Sequence, residues 1–240
     1  MLRDYDIDQY RGAALAGEKA EVQTTYGFMN RVYLLMGIGL ALTALIAYFV
    51  SGSTSLIRTF VTNQPLFIVL LLAEFGLVFG LSLWIGKMSA ATATAGFIAY
   101  SVLNGVTMSV IFLVYTHSSI AIAFFSAAGT FGAMSLLGFF IRRDLSWIGV
   151  FGLYFLIGLV VAMVINIFVG SSILQLGISI FGVILFAGLT AYDTQALKRM
   201  GAHAMSREET GKYAVIGALG LYLDFINLFL FLLRLFGNRR

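Results

Sequence analysis

The chain has no cysteine, a single proline, and charged side chains at only 11% of its 240 positions. Without cysteine there is no disulfide, no thiol catalysis and no thiolate metal site. So little charge, set against 60% hydrophobic residues and 26 glycines, marks an integral membrane protein. The ten-residue alternation of a membrane β-barrel is also missing, because the apolar stretches are continuous. No internal repeat stands out, which counts against an inverted-repeat, proton-coupled carrier. The first 25 residues mix Asp, Arg, Glu and Gln and lack an apolar core, so they are not a cleavable signal peptide. Residues 1–25 read as a polar cytosolic tail, and the first span serves as its own targeting signal.

What the chain does have is length in apolar runs. Crossing a hydrocarbon layer of about 30 Å takes roughly 20 residues of helix. Seven runs qualify, near 30–50, 66–86, 91–115, 119–141, 147–169, 172–198 and 211–236. The expected fold is an all-α integral membrane protein, a bundle of seven transmembrane helices over residues 26–240. Its links are short, which forces successive helices to pack antiparallel as neighbours. Small residues recur inside the runs, among them Gly37 with Gly39, Gly129 with Gly132, Gly149 with Gly152, and Gly182 with Gly188. They predict close helix–helix approach.

Lys and Arg decide the orientation. Arg3, Arg11, Lys19, Arg31, Lys87, Arg142, Arg143, Lys198, Arg199, Arg207 and Lys212 fall on the N-terminal side. Only Arg58, Arg234, Arg239 and Arg240 fall on the other. The positive-inside rule then puts the N-terminus in the cytosol and, after seven crossings, the C-terminus outside. The terminal arginines favour the competing picture, a re-entrant last segment. The net charge of +4 is read as this topology signal beside membrane ends, not as a nucleic-acid surface.

Three acids remain within apolar runs: Glu74, Asp193 and Asp224. Asp224 is the only charged residue between Lys212 and Arg234. A carboxylate at the centre of a membrane helix costs about 2.5–3.5 kcal/mol on insertion scales. Every Lys and Arg lies near a span end, so no basic counter-charge is available inside. A proton or a cation is the expected partner. Gly217, Gly220, Asp224 and Asn227 share one helical face by steps of three and four, and that face should point into the protein. Asp193 either sits in water at a helix end or, if its helix continues to Met200, lies one and a half to two turns inside. Glu74 either lines an outward-facing vestibule or bonds to another helix. Tyr100, Asn104 and Thr107 form a polar stripe suited to holding helices together.

Ala191-Tyr192-Asp193-Thr194-Gln195, Leu221-Tyr222-Leu223-Asp224-Phe225-Ile226-Asn227-Leu228-Phe229 and the loop Arg142-Arg143-Asp144-Leu145-Ser146 resemble the Bax inhibitor-1 family. The resemblance covers residues 25 to 240, and the chain ending is similar to the bacterial inner-membrane branch. It implies a seven-helix fold with the last helix at its centre and a proton-sensitive calcium leak across that membrane. Asp193 and Asp224 map onto the family's pore-associated aspartates, which would also hold calcium weakly. Where relatives carry an arginine latch late in the second span, this chain reads Ile85-Gly86-Lys87, so only Lys87 could substitute, without a bidentate fork.

Two acids in one site do not both ionise easily and titrate together. A proton shared at low pH would tie the last two helices, and a second charge at higher pH would part them or admit a cation. Calcium takes oxygen ligands, roughly six to eight, so backbone carbonyls and water would complete the set. No resident cofactor is expected. An intramembrane aspartyl protease needs Gly-x-Gly-Asp, whereas this chain reads Gly220-Leu221-Tyr222-Leu223-Asp224, and its only proline, Pro65, cannot supply a Pro-Ala-Leu element. A retinal protein needs an interior lysine that the last span lacks. The expectation is therefore not an enzyme. The alternative is a non-conducting regulator that modulates a membrane protease or stress response, with the charged tail as its contact.

Overall fold

A computed structural model describes residues 2–203 and 206–239; for residues 2–21 and for Thr54, Arg58, Phe60 and Val61 it describes the backbone alone. Most side chains of the expected tail 1–25, and the topology signals at Arg58 and Arg240, lie outside the described residues. Backbone groups in a bilayer must be bonded within the protein, so each apolar run closes into a helix. The order is α1 (Leu2–Gly52), α2 (Thr54–Thr62), α3 (Gln64–Trp84), a 3-10 turn at Ile85–Lys87, α4 (Ala90–Met108), α5 (Ile111–Val114), α6 (His117–Phe140), α7 (Ser146–Val169), α8 (Ser172–Gly201) and α9 (Arg207–Phe236).

Seven segments are long and apolar enough to cross a membrane: Val22–Gly52, Gln64–Lys87, Ala90–Val114, His117–Phe140, Ser146–Val169, Ser172–Gly201 and Arg207–Phe236. They match the seven predicted runs. Polar punctuation sets where they begin. Ser53, Asn63, Ser89, Thr116, Ser171 and Ser206 each accept, through the side chain, an amide N–H three residues ahead, satisfying donors that a helix start leaves unpaired. Ser206 and Glu209 complete a reciprocal capping box. Gly170 ends α7 at φ 65°, a left-handed turn that glycine adopts without strain.

The last helix is central. It packs against α8, α6, α1 and α4, and 72% of its most apolar window is buried, against 39% or less for every other span. In contrast α3 and α7 sit at the periphery, and side chains such as Leu83, Ile167 and Phe168 point outward as a lipid-facing surface. Beyond α9 the chain returns to the turn that follows α5. Tyr115 and Arg239 form an isolated antiparallel bridge, Thr116 N–H donates to the Asn238 carbonyl at 3.3 Å, and Asn238 N–H donates to Ser119 Oγ at 2.9 Å. Alternating passages place that turn on the face opposite Lys87 and Arg142. The last helix therefore traverses the bundle and does not re-enter.

Close approach occurs at some of the expected glycines but not all. A Cβ at Gly39 would strike the Phe97 ring, one at Gly149 the Tyr192 ring, and one at Gly182 the Phe231 ring. Gly152 is equally tight against Leu189, while Gly188 has only ordinary contact and Gly37, Gly129 and Gly132 face open space. The tightest contact involves a glycine outside those pairs, Gly138, which lies directly against the Ala191 backbone carbonyl. Here α6 presses on α8 two residues before Asp193. Backbone cannot move aside as a side chain can, so Gly138→Ala should destabilise the fold by about 1–3 kcal/mol. Gly132→Ala should be neutral or slightly stabilising, since alanine is the better helix former. Thermal unfolding of the two variants in detergent checks both expectations.

Candidate functional site

Helix formers with no breaker carry α8 on past Asp193 to Gly201, so Asp193 lies about two turns inside its helix. It is half-buried, and Asp224, near the middle of α9, is buried. Side chains lean toward the N-terminus of their own helix. On antiparallel neighbours such as α8 and α9, one carboxyl leans deeper and the other leans back, so the two converge. Gly220, one turn before Asp224, borders this approach: a Cβ there would make ordinary contact, 3.5 Å from Asp193 Oδ2. Asp193 and Asp224 therefore approach each other across the α8–α9 contact. Two carboxyls hydrogen-bond to each other only when a proton is held between them.

Nothing else among the described residues serves Asp224. Its Oδ2 is buried and has no hydrogen-bond partner. The single ion pair among the described residues, Arg199–Asp144 at 2.5 Å, is on the exposed rim. No cluster of three or more His, Asp or Glu side chains occurs among the described residues, so the pair alone supplies two carboxylates toward a hard cation. The predicted stripe does face α8: Gly217 abuts Leu197 and Gly220 abuts Asp193. Asn227 is half-buried on that face and donates back to the Leu223 carbonyl at 2.8 Å. Lys87 stands apart, exposed at the end of the 3-10 turn and without an ion pair among the described residues.

Glu74 belongs to a different cluster. It is buried and accepts from Thr107 Oγ1 at 2.7 Å and Asn104 Nδ2 at 3.2 Å. Of the two readings open for Glu74, the structure realises the bond to another helix. Asn104 Oδ1 in turn accepts from Tyr222 at 2.9 Å, and the Tyr222 hydroxyl meets Thr43 Oγ1 at 2.6 Å. Phe97 and Tyr100 hold the Tyr222 ring edge-on, with centroids 5.7 and 5.5 Å away. Tyr222 and Asp224 are two residues apart, about 200° around the helix. The last helix thus carries two buried polar clusters on opposite faces.

A hydroxyl trio adjoins the acid pair. Thr194, the residue after Asp193, bonds Ser135 at 2.9 Å and Tyr33 at 3.4 Å, and Tyr33 also bonds Ser135. Gln195, next in sequence, anchors the α6–α7 loop. It accepts from Leu145 N–H at 2.9 Å and from Arg199, and donates to the carbonyls of Arg143 at 2.8 Å and Ile141 at 3.4 Å. The two separated motifs, Arg142–Ser146 and Ala191–Gln195, are therefore one structural unit. This clamp is not visible in spacing, because its main partners are backbone groups fifty residues away.

The family profile described as inhibitor of apoptosis-promoting Bax1 matches residues 25–240. The chain is 46% identical to the inner membrane protein YbhL of Escherichia coli (strain K12) over 232 residues, 96% of this chain and 98% of that one. It is 49% identical to an uncharacterized protein of Deinococcus radiodurans over 213 residues, 89% and 90% of the two chains. A third relative, from Borreliella burgdorferi, is 42% identical over 227 residues, 94% and 98% of the two chains.

Arg199 beside Asp144, helped by Ser146, holds the Asp144 carboxyl down at about 2, below its usual 3.8. A lowered carboxyl stabilises the fold above its ordinary value, and that contribution disappears as pH falls through about 2. The loop clamp consequently stays charged across neutral and mildly acidic pH. Any melting-temperature difference between Asp144→Asn and the parent should be the same at pH 5 and pH 8. Gln195→Ala leaves the buried Leu145 N–H unpaired and should cost about 1–3 kcal/mol, measured by thermal unfolding in detergent.

Proposed function

Because the chain belongs to the Bax inhibitor-1 family, we propose that it is a pH-sensitive calcium leak of the bacterial inner membrane, gated by Asp193 and Asp224. One observation carries the reading: a buried carboxyl pair between α8 and the central helix, with Asp224 Oδ2 unpartnered and no basic residue against it among the described residues. Inner-membrane placement draws on the name of the Escherichia coli relative and on seven helices of spanning length. The lysine and arginine distribution puts the N-terminus in the cytosol and the C-terminus outside.

The mechanism follows from electrostatics in a poorly hydrated site. With one proton between them, the two carboxyls form a hydrogen bond that joins α8 to α9, and the path is closed. When that proton leaves, two like charges face each other where little water screens them. The helices part, or a divalent cation enters and neutralises both. Calcium suits this exchange as the transported ion, because it accepts flexible oxygen coordination. Two protein carboxylates with water and carbonyls make a weak site, as a leak requires. Protons and calcium thus compete for the same oxygens.

Purified protein in liposomes, with calcium flux followed by an internal indicator between pH 5 and 8, tests the proposal. The parent should leak more as pH rises. Asp224→Asn should abolish the pH dependence, and Asp193→Asn should do the same. If both variants keep the parent's flux and profile, the leak reading fails. Loss of cellular function on deleting residues 1–24, with the aspartates dispensable, would instead establish the non-conducting regulator of a membrane protease.

A further inference from the structure

Where α1 enters the bundle, a cleft of about 620 Å³ opens between α1, the end of α6 and the last turns of α8. Its position is that of a membrane boundary: the first span begins at Val22, α6 ends at Phe140 and α8 ends at Gly201. Three cations line it, Arg142, Lys198 and Arg199. Arg199 is committed to Asp144 and Gln195. Lys198 Nζ donates to the Phe139 carbonyl at 2.8 Å and lies 4.8 Å from the centre of the Phe139 ring. That leaves two of its N–H donors for another acceptor. Arg142 is exposed and has no ion pair among the described residues.

Apolar side chains flank these charges. Tyr26 packs on Phe139 with ring centroids 5.7 Å apart, and Tyr26 and Phe140 are 56% and 70% exposed. A site with cationic donors at one wall and exposed aromatic surface at the other fits an amphiphile with an anionic head. Basic pockets between helices at a membrane face are suited to phospholipid headgroups. We infer that this cleft binds the phosphate headgroup of an anionic phospholipid, held by Arg142 and Lys198, with its acyl chains lying over Tyr26 and Phe140. Free phosphate would use the same donors but gain nothing from the aromatic wall. This site is independent of the aspartate pair and does not rest on the leak reading.

The test is lipid retention by the full chain in nanodiscs of phosphatidylcholine with phosphatidylglycerol titrated in, read by native mass spectrometry. The parent should release from the disc carrying one phosphatidylglycerol in preference to phosphatidylcholine. Each juxtamembrane cation contributes about a fivefold affinity factor, so Arg142→Gln should weaken retention about fivefold and Arg142→Gln/Lys198→Gln about thirtyfold. Arg142 is exposed, so the single variant keeps the experiment decisive even if the double variant fails to fold. Arg207→Gln, on the same rim but outside the cleft, should bind as the parent does. Equal retention of both lipids, indifference to Arg142→Gln, or displacement by millimolar inorganic phosphate would each overturn the assignment.

Discussion

A carboxyl group buried at the midpoint of the most enclosed helix is the constraint that everything around it must meet. Placing Asp224 there costs about 2.5–3.5 kcal/mol on insertion scales, and no lysine or arginine among the described residues offsets that cost. The acid that faces it is Asp193, across the α8–α9 contact beside Gly220. An acid answered by another acid is a conditional bond. It holds while a proton is shared and turns repulsive when the proton leaves. On the proposed mechanism, the helix that packs against α8, α6, α1 and α4 is thus fastened on one side by an interaction sensitive to pH.

On its opposite face the same helix is fastened differently. Tyr222 reaches Thr43 of α1 and Asn104 of α4, and Asn104 leads on to Glu74 of α3. These contacts join hydroxyl and amide groups to one acid, and aromatic rings pack around Tyr222. On the proposed mechanism, removal of the proton from the aspartate pair loosens α9 from α8 while leaving it attached to α1 and α4. Asymmetric anchoring of this kind suits a hinge, since one interface can open without unfolding the bundle. The loop clamp at Gln195 and Asp144 adds a fixed point below Asp193 that keeps its charge at neutral pH.

Much of this architecture was legible in the sequence, and the reasons are physical. Spans follow from apolar run length, and all seven appeared where the runs placed them. The face bearing Gly217, Gly220, Asp224 and Asn227 followed from helical periodicity. What the sequence withheld depends on which helix meets which. Gly138 looks no different from Gly132 in the sequence, yet one touches the Ala191 backbone and the other faces open space. Gln195 reads as a polar residue near a helix end, and its role comes from loop carbonyls fifty positions away. Glu74 had two readings because its own helix cannot say whether Asn104 or open water lies opposite. Lys87 is the nearest substitute along the chain for the family's arginine but stands exposed, without an ion pair among the described residues.

The central claim is that one proton is shared between Asp193 and Asp224. Infrared difference spectra of the reconstituted protein between pH 5 and pH 8 address it directly. A protonated-carboxyl C=O band should be present at the lower pH, vanish at the higher one, and be missing from the difference spectra of both Asp193→Asn and Asp224→Asn. A band that survives in either variant, or a parent spectrum with no such band, would contradict the shared proton.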